Sequence, residues 1–291
     1  MVFWYDRTGK YSPYEAWRDL DVPRLHKETG KEHVLDILND KRLLVTGVLT
    51  DTSIAFAVAK MAVEEGADVV LSGAGRGLSL TSRVARKLPG EVEVIEIDVT
   101  NDDQLSAAAE HLTAKWGRLD GIVHAIGFAP PDCLGGDIFK ASWQDVSIAL
   151  EVSAYSLKSL AGTFRELLVA SGSASIVGLD FDAAVAWPAY DWMGVAKAAL
   201  ESLARYLARD LGPSGTRVNL VAAGPIRTMA AKSIPGFSQF ESLWAERSPL
   251  GWDVHDAMPV AKACVALLSD LFPMTTGEII HVDGGAHAIG G

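Results

Sequence analysis

Cysteine, basic charge and long apolar runs are all scarce in this chain, and each shortage removes a class of function. Two cysteines, Cys133 and Cys264, among 291 residues cannot build a disulfide framework, and they show no metal-ligand spacing. A reduced, cytoplasmic setting and no bound metal are the expectations. Lys and Arg number 26 against 37 Asp and Glu, a net charge of −11. Nucleic-acid backbones and anionic membranes would be repelled and are not expected partners. No apolar run approaches the ~18 residues of a membrane span. The N-terminus mixes aromatics with charges where a secretory signal would be apolar. Internal repeats and low-complexity linkers are lacking too, which points to one domain.

What is present is alternation. Short β-branched runs recur at Leu43–Val45, Val69–Leu71, Val92–Val99, Gly121–His124, Ser175–Val177, Val218–Val221 and Ile279–Val282. Runs that are apolar on both faces suit a parallel sheet covered on both sides. Between them, Ser53–Glu65, Leu78–Leu88, Asp102–Trp116, Trp143–Ala170, Tyr190–Leu211 and His255–Asp270 carry apolar residues at three- and four-residue spacing and read as helices. The pattern predicts an α/β fold: a single Rossmann-type, doubly wound domain with a seven-stranded parallel sheet and helices on both faces. It spans 38–291. Residues 1–37 form an aromatic-rich arm, with Phe3, Trp4, Tyr5, Tyr11, Tyr14 and Trp17 crowded into a polar segment. That arm packs on its own domain, on a neighbouring subunit or at a pocket rim.

The first strand runs into Thr46-Gly47 and then Ser53-Ile54-Ala55. A small-residue turn opening a helix aims backbone N–H groups and a positive dipole end at a ligand phosphate. Only Gly47 stands where GxGxxG would place more glycines, and Ser53 is a good helix cap. The second run leads to Ala74-Gly75-Arg76, with no acid to hold a ribose diol. Arg76 stacks on adenine, meets a 2′-phosphate, or is a solvated helix-start residue. Asp98-Val99 ends the third run, where Asp98 either accepts from an adenine amino group or caps the next helix. Small residues Ala125, Ile126 and Gly127 follow the fourth run and leave room for a cofactor. Gly224, Pro225, Ile226, Arg227 and Thr228 turn the chain back over the same edge, where Thr228 can reach a pyrophosphate.

Tyr190 and Lys197 lie seven residues apart, two helical turns, on one face. A lysine there can hold a ribose and favour a developing phenolate, and the tyrosine hydroxyl can donate to a substrate oxygen as charge develops. The stretch 229–252, rich in Pro and Gly, reads as a mobile lid over the substrate.

Together these motifs resemble the enoyl-acyl carrier protein reductases, a divergent branch of the short-chain dehydrogenase/reductases. The likeness spans about Leu38–Ala288 and rests on Gly47–Ala55, Asp98-Val99, the segment HAIGF at 124–128, Tyr190-x6-Lys197, the segment AAGPIRT at 222–228 and the DGG at 283–285. Asp180-Phe181 and Met193 resemble the actinobacterial, NADH-dependent subtype most. Ordinary ketoreductase relatives have Tyr-x3-Lys and an upstream serine, where this chain has Val177. The resemblance implies hydride transfer from NADH, with NADPH the alternative, to a trans-2-enoyl thioester on acyl carrier protein or CoA. By carry-over, Tyr190 stabilises the enolate oxygen, Lys197 holds the nicotinamide ribose, and Phe181 gates the pocket. Phe128, Met193, Met229 and Trp244 line it. Gly47, Ser53, Ile54, Asp98, Val99, Gly127, Lys197, Ile226 and Thr228 contact the cofactor.

The subtype's aromatic residue and aspartate beside the adenosine are replaced by Ala74 and Gly75. The lid also looks shorter, implying a short- or medium-chain acyl group. The family likeness further implies a homotetramer, with Trp143–Ala170 and Tyr190–Leu211 at an interface. A relative recruited to reduce another alkene or carbonyl, and a non-catalytic dinucleotide-binding protein, are the rival readings.

Overall fold

A computed structural model describes residues 36–229, 231 and 234–290. The aromatic arm therefore lies outside the described residues, apart from Asp36 and Ile37. Seven parallel strands form one sheet: β1 (Arg42–Val45), β2 (Asp68–Gly73), β3 (Glu93–Glu96), β4 (Gly121–His124), β5 (Ser175–Asp180), β6 (Arg217–Ala223) and β7 (Ile279–Val282). Their spatial order is β3-β2-β1-β4-β5-β6-β7, so the winding reverses between β1 and β4. Such a reversal opens a crevice at the carboxyl ends of the strands.

The burial of each strand explains its composition. Every residue of β4 and β6 is buried, each strand having a neighbour on both sides, and Arg217, Asn219 and His124 are their polar residues. The edge strands β3 and β7 are only partly covered, and β3 carries Glu93 and Glu96. One apolar layer joins the sheet to α1 (Ile54–Glu64) and α9 (Met258–Leu268), with Val58, Ala59, Val260 and Leu268 fully enclosed. The opposite layer holds α3 (Asp102–Trp116), α5 (Ser156–Thr163), α6 (Arg165–Ser171) and α7 (Asp191–Leu211) against Leu44, Ile122, Ile176 and Val218. The doubly wound α/β architecture expected from the alternation is the one present.

Helix ends follow local chemistry. Asn101 caps α3 through its side chain to the amides of Asp103 and Gln104, acids fill the first turn, and Gly117 at φ 68° closes it. The second helix, α2 (Gly75–Ala85), begins three residues before the expected Leu78. Amides of Gly77 and Leu78 bond back to Ala74 O and draw two glycines into the first turn. The expected single helix 143–170 is broken. Its parts are α4 (Trp143–Leu150), a π-helical turn at Glu151–Tyr155, α5 and α6, with a break at Phe164.

Among the described residues no helix is long and apolar enough to cross a membrane. Nor do the described residues contain three or more His, Cys, Asp or Glu placed to hold a metal ion.

Phe164 sits at the α5–α6 break with no exposed surface. Phe164→Ala should lower stability by about 3–5 kcal/mol through lost burial and the cavity left behind, measured by urea unfolding.

Candidate active site

The crevice at the strand ends is built around the β1 and β4 exits. Thr46, fully buried, donates its hydroxyl to Val123 O (2.9 Å) and accepts from the amide of Ala125 (3.0 Å), tying the two exits together. Gly47 follows at φ 78°, and a Cβ there would lie 2.0 Å from Ala125 O. Only glycine lets the two backbones approach so closely. Ser53 caps α1: its Oγ accepts from the Phe56 amide at 3.3 Å and its hydroxyl donates to Thr50 O at 2.7 Å. The first turn of α1 carries no acid, so the helix dipole faces the crevice uncompensated.

At the adenosine end, Arg76 is exposed in the first turn of α2, and no side chain caps that helix. Asn101, not Asp98, caps the next helix, and Asp98 Oδ1 accepts from the Thr100 amide (3.0 Å) and hydroxyl (2.7 Å). Val99 is buried beside it.

The π-helical turn has a visible purpose. It aims Ser153 at Phe128, whose amide donates to Ser153 Oγ (2.9 Å) while the serine hydroxyl donates to Phe128 O (2.8 Å). That exchange fixes the path of Ala125, Ile126 and Gly127 over the crevice; π-bulges recur at functional sites for this kind of re-aiming. Ser156 of α5 donates to Val152 O, so His124 Nε2 donates to Ser156 Oγ at 2.7 Å. His124 is wholly buried, and burial, reinforced by the charge of Lys197, holds its pKa down to about 3. It is a neutral strut.

Lys197 lies on α7, buried to 8% exposure, and donates from Nζ to Leu179 O at 2.8 Å. Asp180 ends β5 with its carboxylate enclosed, 3.9 Å from that ammonium, and neither oxygen has a hydrogen-bond partner. Burial pushes its pKa up to about 7, opposed by Lys197 and assisted by Glu201. Lys197 is shifted down by burial, with Asp180 and Glu201 holding it back. Tyr190 is the cap residue of α7 rather than its first helical residue, and it too is buried. Burial, then Asp180, raises its phenol. Both causes favour the protonated hydroxyl.

Tyr190 sits under aromatic rings. Phe181 meets it at 5.1 Å and 62°, and Phe181 also contacts Trp187 (5.3 Å), Phe240 (5.6 Å) and Trp244 (5.7 Å). Phe240 and Trp244 belong to α8 (Phe237–Arg247), a helix inside the segment read as a mobile lid. Its apolar side at Phe237, Phe240 and Trp244 was hidden from the composition by the flanking Pro and Gly. Trp187 and Phe240 were not among the expected pocket residues, although aromatics at three- and four-residue spacing were the available signal.

Arg227 forks onto Glu241 of α8, with Nη2–Oε2 at 2.7 Å, and ties the lid to the chain after β6. In that stretch Pro225 O accepts from the Trp252 indole at 2.8 Å, Ile226 is buried, and Thr228 Oγ accepts from the Ala231 amide at 3.1 Å. Gly224 lies so close to Trp244 and Trp252 that a Cβ would come within 2.9 Å of both. Met193 is half-buried one turn past Tyr190, and Phe128 (52%) and Met229 (45%) are exposed, outside the ring cluster.

These features fit a dinucleotide. Gly47 makes room at a helix N-terminus, while the Asp180 carboxylate and the Trp244 indole nitrogen are buried with no hydrogen-bond partner. An unpaired buried polar atom is costly unless a ligand meets it.

Residues 47–287 match the family model described as Enoyl-(Acyl carrier protein) reductase. The chain is 47% identical over 264 residues to the enoyl-[acyl-carrier-protein] reductase [NADH] of Mycolicibacterium smegmatis, covering 86% of this chain and 97% of that protein. It is 36% identical to the NADH enzyme of Aquifex aeolicus, over 88% of this chain and 94% of that one. The NADPH enzyme of Staphylococcus aureus MRSA252 is 37% identical, over 87% and 98%.

The raised Asp180 has a consequence for stability. Its unfolded carboxyl titrates near 3.8 and its folded one at about 7, so the folded state holds the proton more tightly. That contribution is complete below 3.8 and is lost as pH rises through 7. Asp180→Asn does not titrate, so its melting temperature should fall less than wild type's between those values. Equal slopes in scanning calorimetry would show that Asp180 is not shifted.

Proposed function

The chain belongs to the enoyl-acyl carrier protein reductase family, and from that premise we propose that it reduces the 2,3 double bond of a trans-2-enoyl thioester with NADH. The single observation that carries this reading is the buried Tyr190 hydroxyl beside the Lys197–Asp180 pair, at the strand-end crevice of a doubly wound sheet. The reduced nicotinamide, when bound, supplies the hydride to the β-carbon. The protein's own part is electrostatic. Tyr190, kept protonated by burial, donates to the thioester carbonyl oxygen as charge develops there, in a site closed to water by Phe181, Trp187, Phe240 and Trp244. Lys197 has three N–H donors; one goes to Leu179 O, and the ammonium orients the nicotinamide ribose. Phe181 gates the pocket.

Gly47, Ser53, Ile54, Ala125, Ile126, Gly127, Gly224, Pro225, Ile226 and Thr228 frame the cofactor, with Asp98 and Val99 at the adenine. No carboxylate at the end of β2 repels a 2′-phosphate, and Arg76 stands exposed there, which supports NADPH as a second reductant. The acyl group is short or medium in length, because α8 closes its aromatic side directly over Tyr190. It arrives on acyl carrier protein, with CoA thioesters as surrogates. Three cations in or beside the lid segment, Arg227, Lys232 and Arg247, are the candidates to meet an acidic carrier: Arg227 is held by Glu241, Arg247 donates to Ile289 O, and Lys232 lies outside the described residues. The protein works in the cytoplasm as a homotetramer. Outward-facing Trp143, Tyr155, Val195 and Tyr206 on the α4–α7 surface support that assembly.

Cofactor oxidation followed by absorbance with crotonyl-CoA and octenoyl-CoA tests the activity. Oxidation with neither thioester, while NADH binds, removes the reading. Tyr190→Phe should cut turnover about 100-fold or more with cofactor affinity retained, whereas Lys197→Ala should weaken NADH binding itself.

A further inference from the structure

Two residues without glycine's freedom adopt left-handed backbone angles on either side of the catalytic tyrosine: Ala189 at φ 58° and Asp191 at φ 38°. L side chains rarely adopt this region, and where they do at a functional site the surroundings must hold them there. Within α7 the amides of Met193 and Gly194 donate to Tyr190 O at 2.9 and 3.3 Å, which holds the helix start but reaches neither Ala189 O nor the Asp191 carboxylate. Tyr190 occupies the cap position and offers the helix no side-chain cap.

The restraint comes from the loop after β4. Gly135 N–H donates to Ala189 O at 3.1 Å, Gly136 N–H donates to the Asp191 carboxylate at 2.6 Å, and the Trp192 indole N–H donates to Ile138 O at 2.9 Å. Three bonds thus span the residues just before and just after Tyr190. Gly135 and Gly136 stand at φ 110° and 95° with open space where a Cβ would point, so they are glycine for backbone shape and not for clearance. The loop is itself anchored: Cys133 is fully buried in a small cluster with Val146 and Ala149 of α4, and Trp192 packs on the same cluster. The chain of restraint runs from α4 to the loop, from the loop to the strained turn, and from the turn to the phenol.

We infer that Gly135-Gly136 and the Asp191 carboxylate form a clamp that positions the Tyr190 hydroxyl, with Asp191 a positioning residue that touches neither substrate nor cofactor. The inference rests on the reading of Tyr190 as the donor to the substrate oxygen. It adds that the donor's placement is set by a loop from another strand as well as by α7.

The test uses the full-length protein with NADH and octenoyl-CoA. Asp191→Gly keeps the left-handed angle without strain and removes only the carboxylate. It should lower kcat about tenfold or more, with the NADH dissociation constant within about twofold of wild type and the melting temperature little changed. Asp191→Asn, which tolerates the same angle and keeps an oxygen acceptor, should restore most of the turnover. Gly136→Ala strains the clamp from the loop side and should reproduce the kcat loss.

If Asp191→Gly turns over like wild type, or if kcat, cofactor affinity and melting temperature all fall together in both Asp191 variants, the clamp does not position the phenol. A wild-type protein inactive on every thioester, or an active Tyr190→Phe, would instead overturn the reading of Tyr190.

Discussion

An ammonium ion held at the exit of a parallel sheet has lost most of its water, and the site is organised around compensating that loss. Desolvating one such ion costs several kcal/mol even after relaxation, so Lys197 cannot stand alone. Leu179 O accepts from it and Asp180 supplies the opposing charge. For both to be present, β5 must run beyond its apolar stretch as far as Asp180, which pairs in register with Ala222. That extension brings Phe181 over the crevice and brings the β6 exit alongside it. Burial raises the Tyr190 phenol and the same carboxylate adds to it, while Asp180 opposes the burial that lowers Lys197.

The lid is held by two kinds of force of unequal size. Arg227 and Glu241 form an attractive fork, but the arginine side chain is half exposed, and ion pairs in water contribute at most about 1 kcal/mol. Phe240 and Trp244 are nearly fully buried against Phe181 and Trp187, and each such side chain is worth roughly 1.5–3 kcal/mol. Closure is therefore mainly apolar. An acyl chain can take the place of these rings at low cost, because it replaces one apolar contact with another. A polar substrate would have to open the same lid without that compensation.

The sheet was legible because its strands are short apolar runs between helices of clear period. β4, β7 and α3 fall on the residues expected of them. Tyr190 and Lys197 were legible as a spacing, and Gly47 and Ser53 as a turn and a cap. What escaped depends on contacts between distant segments. Thr46 reads as an ordinary strand-end residue until Ala125 is seen to donate to it. Ser153 looks like any helical serine, and the π-helical turn that aims it at Phe128 is one that period alone cannot reveal. The left-handed angles at Ala189 and Asp191 are invisible in composition, since neither position is glycine. In the lid, Pro and Gly suggested a mobile stretch and gave no sign of α8, whose Phe240 and Trp244 are held by tertiary burial.

The clustering of indoles also gives the protein optical properties. Trp187 and Trp244 lie 5.2 Å apart, and the Trp252 ring comes close to Gly224 beside Trp244. Tryptophan emission overlaps the absorption of reduced nicotinamide, so a dinucleotide seated in the crevice would accept excitation from these rings. Movement of α8 would shift Trp244 from an apolar to an aqueous setting and redden its emission. Cofactor occupancy and lid position would then be separable in one fluorescence spectrum, as quenching and as wavelength, without an added label.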